Sequence, residues 1–478
     1  MKQFLSLSPR SKAQVQACVR LSFSTKAPNE NNLTLFVSCL PGFEAVLSKE
    51  LSALNIPHSP TQAGANIRQA SVDTITKCHL FCGSASHVLM RCGGKAFNVR
   101  GFPELTRKVA RIPWETYLLD NDADGGAAAG GGPIVNVRAI CAKSKLFHTT
   151  AVEERVAAAI AKSMGNVAIA IDTDTTGTTT STTTNTRRSR PTVELLVRVH
   201  RDVVTLSIDT SPTPIHQRGY RLETAKAPLR EDIAFSMLYA AGLHDSSSSS
   251  NYQKIFDPMC GSGTIAIEGA AMKLGLPPGR FRGAPMEGTT FYKPELWDEL
   301  LNQALEKSEK LASDFGSSSS QPIVVAADRD EGATKAAIAN AERAGVLRFM
   351  DITTRSVSDH DWLSSESTTA EEGSVLVATN PPFGKRISSS REKAARRFDE
   401  LLPLYQTLGS KISGMKGNVG AVVLSNNVDL VRRMGLKGND STNTKALFST
   451  QHGGLPVAAM GWNLQNPILA DSLKIFKK

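Results

Sequence analysis

The spacing of apolar residues predicts short strands and amphipathic helices through the first half of the chain. Leu33–Cys39 alternates as a half-buried strand, and residues 43–54 carry apolar side chains at helical intervals after a Pro-Gly turn. The remaining pattern predicts, in order, a strand at 65–70, a helix at 72–81, a strand at 86–99, a helical stretch at 102–117 that is broken near Pro113, a strand at 134–142, an alanine-rich helix at 149–163, and a hairpin of 192–200 with 203–208.

From Tyr252 onward the pattern changes to strands that alternate with helices. That alternation is typical of a parallel sheet covered by helices on both faces. We therefore expect two compact regions, an α+β region over 33–212 and an α/β region over 213–470. Stretches of small or polar residues interrupt the pattern, and we interpret two of them, 121–133 and 172–190, as low-complexity loop insertions.

Length and composition limit the class of protein. At 478 residues the chain is long enough for two or three domains with substantial cores. No stretch approaches the roughly 20 consecutive apolar residues of a membrane span, so no membrane partner is expected. The seven cysteines are scattered, and Cys78 and Cys82 lack a second pair of ligands. Neither a disulfide framework nor a metal site is therefore expected.

The positive charge of the chain is concentrated at its start. Residues 1–29 hold five lysines and arginines and no acid. The formal net charge is +10, and without these five the remaining 50 basic and 45 acidic residues leave a surplus of five. A serine-rich, acid-free basic segment is typical of an organellar transit peptide. We therefore predict a disordered transit peptide over 1–30 with its processing site within Val19–Lys26, and a mitochondrion is favoured over a plastid. A disordered basic tail on a cytoplasmic protein is the alternative.

A glycine-containing turn links the first strand of the α/β region to a helix. The strand ends at Asp257, Gly261 and Gly263 follow, and a helix begins directly after them. Glycines let the backbone approach a ligand closely, and the acid can bind an ammonium or a hydroxyl group. The third residue of a dinucleotide fingerprint is Ala266, which that fingerprint tolerates, so the spacing alone leaves both kinds of cofactor open.

Polar residues also follow the later strands of this region. Asp328 ends a strand where its carboxylate can accept both hydroxyls of a ribose, and Asp359 is predicted to end a third strand near an adenine amino group. For each acid taken alone, a helix cap is a better explanation than contact with a ligand. The ordered set predicts a nucleoside cofactor that lies across the carboxyl edge of the sheet.

A fourth strand ends in the sequence Asn380-Pro-Pro-Phe383. Two successive prolines offer no N–H and hold the backbone extended, which leaves a carbonyl unpaired beside a primary carboxamide and an aromatic ring. These oxygens can accept hydrogens from an exocyclic amino group while the ring stacks on the base that carries it. The alternative is that these four residues bind nothing and form an ordinary Pro-Pro loop after the strand.

Several motifs together resemble one known family. The sequence is similar to THUMP-domain RNA methyltransferases of bacterial type, class I S-adenosylmethionine-dependent enzymes that form N2-methylguanosine in ribosomal RNA. The motifs that carry the resemblance are His216-Gln-Arg-Gly-Tyr-Arg221, Ala227-Pro-Leu-Arg-Glu-Asp232, Asp257-Pro-Met-Cys-Gly-Ser-Gly-Thr264, Pro277-Pro-Gly279 and Asn380-Pro-Pro-Phe-Gly-Lys-Arg386. The resemblance implies a Rossmann-like methyltransferase domain with a seven-stranded mixed sheet, preceded by a ferredoxin-like and THUMP α+β region.

The same resemblance implies roles for individual residues. Asn380, Pro381, Pro382 and Phe383 would form the catalytic loop, with Asn380 and the Pro381 carbonyl accepting hydrogen bonds from the target amino group. S-adenosylmethionine would be held by Asp257, Met259, Cys260, Gly261, Gly263, Thr264, Asp328, Asp359 and Asn380. RNA, most simply ribosomal RNA, would contact Lys143, Lys145, His148 and Arg155, although such charges are often only a solvated face.

Three functions are compatible with these motifs. The first is methylation of guanine N2 in RNA, which the THUMP-like region favours. The second is methylation of adenine N6 in RNA or DNA, because an Asn-Pro-Pro-Phe loop recognises an amino group and not a particular base. The third is a non-catalytic RNA-binding or ribosome-assembly protein that keeps the fold, against which the intact loop and acids argue.

Overall fold

A computed structural model of the chain describes residues 30–119, 133–164, 168–171, 190–211, 213–222, 228–243, 252–318, 322–359, 374–383, 391–436 and 444–469. The predicted targeting segment, except for its last residue, lies outside these ranges. So do nearly all residues of the two predicted insertions, and Lys385 in the last of the motifs.

The strands of the first region form one sheet. They are β1 (Leu33–Cys39), β2 (Ser59–Thr61), β3 (Gly64–Ala70), β4 (Ala85–Asn98), β5 (Ile134–Ala142), β6 (Ala168–Ile171), β7 (Thr192–His200) and β8 (Val203–Asp209). Their order in the sheet is β2-β3-β1-β4-β8-β7-β5-β6. The long strand β4 pairs with β1 on one side and β8 on the other. The two predicted pieces of this region therefore share one continuous sheet.

Four helices accompany this sheet: α1 (Glu44–Ala53), α2 (Val72–Phe81), α3 (Phe102–Val109) and α4 (Thr149–Met164). Helix α2 begins at a capping box in which the Ser71 hydroxyl accepts from the Thr74 amide and Thr74 bonds back to Ser71. The predicted break of the helical stretch 102–117 near Pro113 is confirmed, although the helix already ends at Val109 and only a 3₁₀ turn at Trp114–Thr116 follows the proline.

The second region contains a seven-stranded mixed sheet, which confirms the predicted fold class. Its strands are β9 (Lys254–Asp257), β10 (Val324–Asp328), β11 (Met350–Thr354), β12 (Val375–Thr379), β13 (Val419–Ser425), β14 (Lys445–His452) and β15 (Leu455–Trp462). The order is β11-β10-β9-β12-β13-β15-β14, and β15 is antiparallel to both of its neighbours. The prediction that residues 356–359 end a strand is wrong, because β11 already ends at Thr354.

Helices cover both faces of this second sheet. They are α5 (Glu231–Leu238), which continues into a π turn, α6 (Thr264–Lys273), α7 (Pro294–Ser318), α8 (Glu331–Arg343), α9 (Arg391–Gly414) and α10 (Val428–Arg432). Side chains along β12 alternate between two apolar cores, with Leu376 and Ala378 in one and Val375 and Val377 in the other. The first core is continuous with the core of the N-terminal sheet, so the two regions are packed together.

A buried arginine joins the two regions. Arg218 is 1% exposed and donates to the carbonyl oxygens of Gly83, at 2.7 Å, and Ile215, at 2.9 Å. Its Nε lies 3.5 Å from a carboxylate oxygen of Glu268 on α6, and the Tyr220 hydroxyl donates to the other oxygen of that carboxylate. One guanidinium thus connects the end of α2 to the helix that follows the glycine turn.

The segment between α6 and α7 adds a second set of contacts across the same junction. The Gly279 amide donates to the Leu80 carbonyl at 2.9 Å, and Arg282 donates to the His79 carbonyl at 2.7 Å. Farther along, the Thr290 hydroxyl donates to the Thr116 carbonyl at 2.8 Å. Because the second region donates these hydrogen bonds and the first region accepts them, the relative orientation of the two regions is held by hydrogen bonds as well as by the shared core.

Replacement of Arg218 by methionine is expected to lower the apparent free energy of unfolding by about 3–5 kcal/mol, because Glu268 would remain buried without its cation. Urea denaturation followed by circular dichroism measures this loss. The double variant Arg218→Met/Glu268→Gln removes both charges and should recover part of the loss. A single variant that loses less than about 1 kcal/mol would contradict a structural role for this ion pair.

Candidate active site

The carboxyl edge of the second sheet contains a topological switch point between β9 and β12. From β9 the chain continues to β10 and β11 on one side, whereas β12 and β13 lie on the other. Crevices at such points are where open α/β sheets bind ligands. Ala326 lies opposite Asp257, and Val377 lies opposite Phe256. Asp328 and Asn380 therefore each extend two residues beyond Asp257, one on either side of it.

Asp257 forms the floor of this crevice. Its carboxyl group is fully buried, and one oxygen accepts from the Met259 amide at 3.4 Å. The other oxygen, Oδ2, has no hydrogen-bond partner among the residues that the structure describes. Burial raises the pKa of this carboxyl to about 7. The buried Thr379 hydroxyl and the Met259 amide act against this rise, and the nearby charge of Asp328 adds to it. A buried acceptor without a partner is costly unless a ligand supplies a donor.

Asn380 has a similar unsatisfied acceptor. Its side-chain oxygen Oδ1 is buried and lacks a hydrogen-bond partner within the described part of the chain. The residue directly follows β12, whose five residues are all buried. Pro381 is buried, Pro382 is exposed, and the half-buried ring of Phe383 packs against the larger apolar core. The predicted loop residues therefore place a carboxamide oxygen at the switch point, three residues before a half-buried aromatic ring.

The two glycines of the turn have different surroundings. Both have a left-handed backbone conformation, with φ of +53° at Gly261 and +85° at Gly263. A Cβ added to Gly263 would lie 3.0 Å from the Cβ of Ala337 on α8, whereas a Cβ added to Gly261 would meet nothing within 4 Å. Gly263 is thus required for helix packing, and Gly261 leaves open space beside the backbone where a ligand can approach.

Asp328 holds the glycine turn in place. Its carboxylate accepts from the Gly261 amide at 2.9 Å with one oxygen and from the Asp330 amide at 3.0 Å with the other. The Cys260 amide donates to the Ala327 carbonyl at 2.9 Å, which fixes the turn to β10 a second time. Each carboxylate oxygen retains a further lone pair that can accept from a ribose hydroxyl.

The remaining residues predicted for the cofactor turn lie within or beside it. Met259 is half-buried, and Thr264, which is 3% exposed, begins α6. Cys260 is buried, and burial is the main reason that the pKa of its thiol is raised well above the ordinary value. A thiol that remains protonated is a poor nucleophile, so Cys260 fits a packing role beside the turn.

Asp359 lies in an exposed turn after β11. It is exposed, and its carboxylate accepts from the Ser356 amide at 2.8 Å within its own turn. Lys411 of α9 approaches its carbonyl at 3.5 Å. Because Asp359 lies five residues beyond the end of β11, its predicted contact with an adenine amino group stays a prediction.

Sequence reasoning missed a buried asparagine behind the turn. Asn340 of α8 is fully buried and donates to the Ser262 carbonyl at 3.1 Å. Arg343 donates to the side-chain oxygen of Asn340 and, at 2.9 Å, to the carbonyl of Tyr220. These contacts join residues from three separate segments. No local motif announces them, and only the polar residue on an alanine-rich helical face provided a signal.

The residues predicted to contact RNA lie far along the chain from the switch point, around the beginning of α4. Lys143, Lys145 and His148 are exposed, and the Lys145 amide donates to Asp202 at the tip of the β7–β8 hairpin. Arg155 is exposed on α4 itself, 3.7 Å from Glu154. The three residues before α4 and the one on it thus face solvent, where a charged partner could reach them.

Two kinds of site are absent from the part of the chain that the structure describes. None of its helices is long and apolar enough to cross a membrane. No group of three or more histidine, cysteine, aspartate or glutamate side chains in these ranges is arranged to hold a metal ion.

The chemistry available at the switch point is that of acceptors. Asp257 Oδ2 and Asn380 Oδ1 are both buried acceptors that lack partners in the described structure, and Asp328 retains free lone pairs above the turn. The crevice can therefore hold one molecule that bears an ammonium or hydroxyl groups and a second that presents an amino group. Buried acceptor oxygens that face a crevice whose described residues offer no nucleophile or strong base fit a transfer to nitrogen better than a hydrolysis.

Comparison with curated and solved proteins agrees with this geometry. The chain is 30% identical over 437 residues to ribosomal RNA large subunit methyltransferase K/L of Syntrophotalea carbinolica, a match that covers 90% of this chain and 54% of the relative. The same-named protein of Legionella pneumophila strain Lens is 26% identical over 410 residues, which cover 85% of this chain and 50% of the relative. The chain therefore spans about half the length of these relatives.

Two solved structures share the fold over nearly the whole chain. A possible methylase from Clostridium difficile 630 has a TM-score of 0.68 and 24% identity, and the match covers 91% of this chain and 99% of that one. SMU.472, a putative methyltransferase complexed with SAH, has a TM-score of 0.70 and 21% identity with the same coverage.

Two family descriptions match separate parts of the sequence. Residues 34–89 match the RlmL ferredoxin-like domain, which corresponds to β1 through part of β4. Residues 218–455 match the RMKL-like methyltransferase domain, which runs from Arg218 to the hairpin of β14 and β15 and includes the whole switch point. The chain therefore contains an RMKL-like methyltransferase domain preceded by an RlmL ferredoxin-like domain.

Proposed function

We propose that this protein transfers the methyl group of S-adenosylmethionine to the exocyclic N2 of a guanosine in ribosomal RNA. The observation that carries the proposal is the buried Asn380 oxygen at the switch point, which has no hydrogen-bond partner in the described structure. The neighbouring strand β9 ends in Asp257, one of whose oxygens is similarly unsatisfied. An amino group of the target base supplies the donors that the first oxygen lacks. The ammonium of the cofactor supplies the donor for the second.

The residues of the crevice fit the cofactor that the family uses. Asp257 would hold the ammonium, Gly261 leaves room for close approach of the methionine portion, and Asp328 would accept from the ribose hydroxyls. When bound, S-adenosylmethionine supplies an electrophilic methyl group on its sulfonium. The solved relative SMU.472 was obtained with SAH, which supports this choice of ligand.

The catalytic contribution of the chain is positioning. The Asn380 oxygen and the Pro381 carbonyl accept the two hydrogens of the target amino group, which localises the nitrogen lone pair and directs it toward the methyl group. Phe383 stacks on the base, which must be unpaired or flipped out to reach the crevice. Such alignment of reacting groups, together with fixed dipoles, accelerates transfer. The nitrogen would take the methyl group as the bond from that carbon to sulfur breaks and SAH is released. The surplus proton of the methylated amino group would pass to water, so no strong general base is required.

The identity of the base and of the RNA rests on the relatives. The Asn-Pro-Pro-Phe loop recognises an amino group and is compatible with adenine, whereas the matched proteins are named for ribosomal RNA of the large subunit. Residues 102–209 would serve as the THUMP-type RNA-binding part, and Lys143, Lys145, His148 and Arg155 are its candidate contacts. The acid-free basic residues 1–29 support an organelle, with a mitochondrion preferred, as the place of action.

Replacement of Asn380 by alanine should lower kcat by roughly 100-fold or more, because the target amino group loses its principal acceptor. Methylation of large-subunit ribosomal RNA in vitro, followed by nucleoside mass spectrometry, measures both the rate and the product. The matched variant Asn380→Asp keeps an oxygen acceptor and should retain more activity. Binding of SAH to the alanine variant, measured by calorimetry, should change little.

The product decides between the candidate bases. N2-methylguanosine supports the proposal, N6-methyladenosine would replace it with adenine chemistry, and the absence of both with wild-type protein and intact SAH binding would favour a non-catalytic RNA-binding role. Near-normal turnover of Asn380→Ala would show that the acceptor is not part of the mechanism.

The two glycines of the turn should respond differently to alanine. Gly263→Ala is expected to destabilise the fold by about 2 kcal/mol or more, because the new methyl group would crowd Ala337 in a left-handed backbone conformation. Gly261→Ala should cost about 1 kcal/mol but should strongly reduce the stabilisation that SAH confers in thermal denaturation. If Gly261→Ala were stabilised by SAH as much as the wild type, the cofactor would not approach that glycine.

Affinity for SAH should rise with pH as Asp257 loses its proton. Burial raises the pKa of this carboxyl to about 7 in the free protein, so the group is mostly neutral below that pH. Only its ionised form pairs with an ammonium. From about pH 6 to about pH 7.5 the affinity should therefore increase roughly five- to eightfold. Asp257→Asn should bind more weakly and without this rise, whereas the same rise in that variant would assign the titration to another group.

A further inference from the structure

A groove separates α3 from α4 on the N-terminal half of the molecule. It has a volume of about 780 Å³, which lies within the roughly 300–1,000 Å³ that is usual for ligand sites. Part of its lining is apolar and includes the buried Ala159 and the half-buried ring of Phe102. The groove is remote from the methyltransferase crevice in sequence, and the switch-point chemistry does not use it.

Basic side chains line both sides of this groove. Arg155 and Lys162 lie seven residues apart on α4, and therefore on one face of the helix, and Arg107 faces them from α3. All three are exposed. His148 precedes Arg155 by another seven residues, so the row of potential cations continues to the beginning of α4.

Carboxylates are absent from the lining that the structure describes. Glu153 is directed inward and accepts from the Ala139 amide at 2.7 Å. Glu104 of α3 is engaged by Lys108, at 2.9 Å, and by the Arg100 amide. Glu154 approaches Arg155 only at 3.7 Å, and both side chains are more than half exposed, so this pair is weak. The field inside the groove is therefore positive.

The Arg155 guanidinium lies 5.7 Å from the centre of the Phe102 ring. This contact holds the cation over an apolar surface and leaves its outer N–H groups free to bind an anion. Positive side chains beside a partly apolar lining match a chain that combines regularly spaced phosphates with flat, weakly polar bases. A single-stranded nucleic acid has that combination, because its bases are not buried in a duplex.

We propose that the groove between α3 and α4 binds a single-stranded segment of the RNA substrate, with Arg107, Arg155 and Lys162 on its phosphates. The proposal rests on the proposed function in one respect, namely that RNA is the substrate. It extends the candidate RNA contacts from the start of α4 to a defined groove, and it adds Arg107 and Lys162, which sequence reasoning did not select.

The salt dependence of RNA binding tests this groove. Each phosphate contact to a single strand contributes a slope of about −0.7 in a plot of log K against log salt, so Arg107→Ala/Lys162→Ala should reduce the slope by about 1.4. The affinity of the double variant should fall roughly tenfold at moderate salt. The probe is a short fluorescein-labelled single-stranded RNA of mixed sequence, and fluorescence anisotropy with the full chain provides the measurement.

The matched control is Lys335→Ala/Arg432→Ala, which removes two exposed cations from α8 and α10. This control should keep the wild-type slope. An equal change of slope in both double variants would show that only the net charge of the protein matters, which would overturn the proposal. An unchanged slope in the groove variant would overturn it as well. Competition by polyglutamate as effective as competition by RNA would identify a general acidic-polymer site and would also overturn it.

RNA binding and methyl transfer can fail separately. A groove variant that binds RNA weakly should raise the KM for RNA and leave the affinity for SAH unchanged. If no methylated product forms with wild-type protein but the slope still changes as expected, the proposed function fails and the groove stands. If N2-methylguanosine forms normally and the groove variants bind like wild type, only the groove is wrong.

Discussion

The position of the methyltransferase crevice depends on one buried guanidinium. Arg218 donates to the Gly83 carbonyl after α2 and lies 3.5 Å from Glu268 on α6, directly behind the glycine turn. A buried cation is costly unless a counter-charge and hydrogen-bond acceptors lie beside it, so the fold must bring the N-terminal backbone and α6 together around this guanidinium. Arg282 and the Gly279 amide reinforce the same junction. The orientation of the two halves is thus a requirement of charge burial as much as of apolar packing.

The shape of the crevice is fixed by hydrogen bonds within the protein, which leave most of the atoms that would bind a ligand available. Asp328 bonds the Gly261 amide, Asn340 bonds the Ser262 carbonyl, and both leave the turn in a left-handed conformation that is ready to receive a nucleoside. The unsatisfied oxygens of Asp257 and Asn380 are the cost of this arrangement. Unsatisfied buried acceptors of this kind are typical of sites in which a ligand completes the hydrogen bonding.

Local patterns predicted most of the architecture and the centre of the site. Alternation gave β1 and β5 their observed bounds, and the strand-then-helix pattern placed Asp257, Asp328 and Asn380 at one edge. Asp359 was misplaced because an acid after an apolar stretch resembles a strand end even when the strand stops five residues earlier. The roles of Arg218 and Asn340, and the groove between α3 and α4, depend on partners 50 or more residues away, which no local window contains.

The single eight-stranded N-terminal sheet has a consequence for how a substrate would be selected. Because β4 belongs to both parts of that sheet and Arg218 anchors the end of α2 to α6, the groove and Asn380 cannot readily move apart. An RNA held in the groove could present only those nucleotides that lie at one fixed reach along its path. The nucleotide to be modified would then be decided by its distance along the RNA from the segment bound in the groove, rather than by contacts to the bases on either side of it.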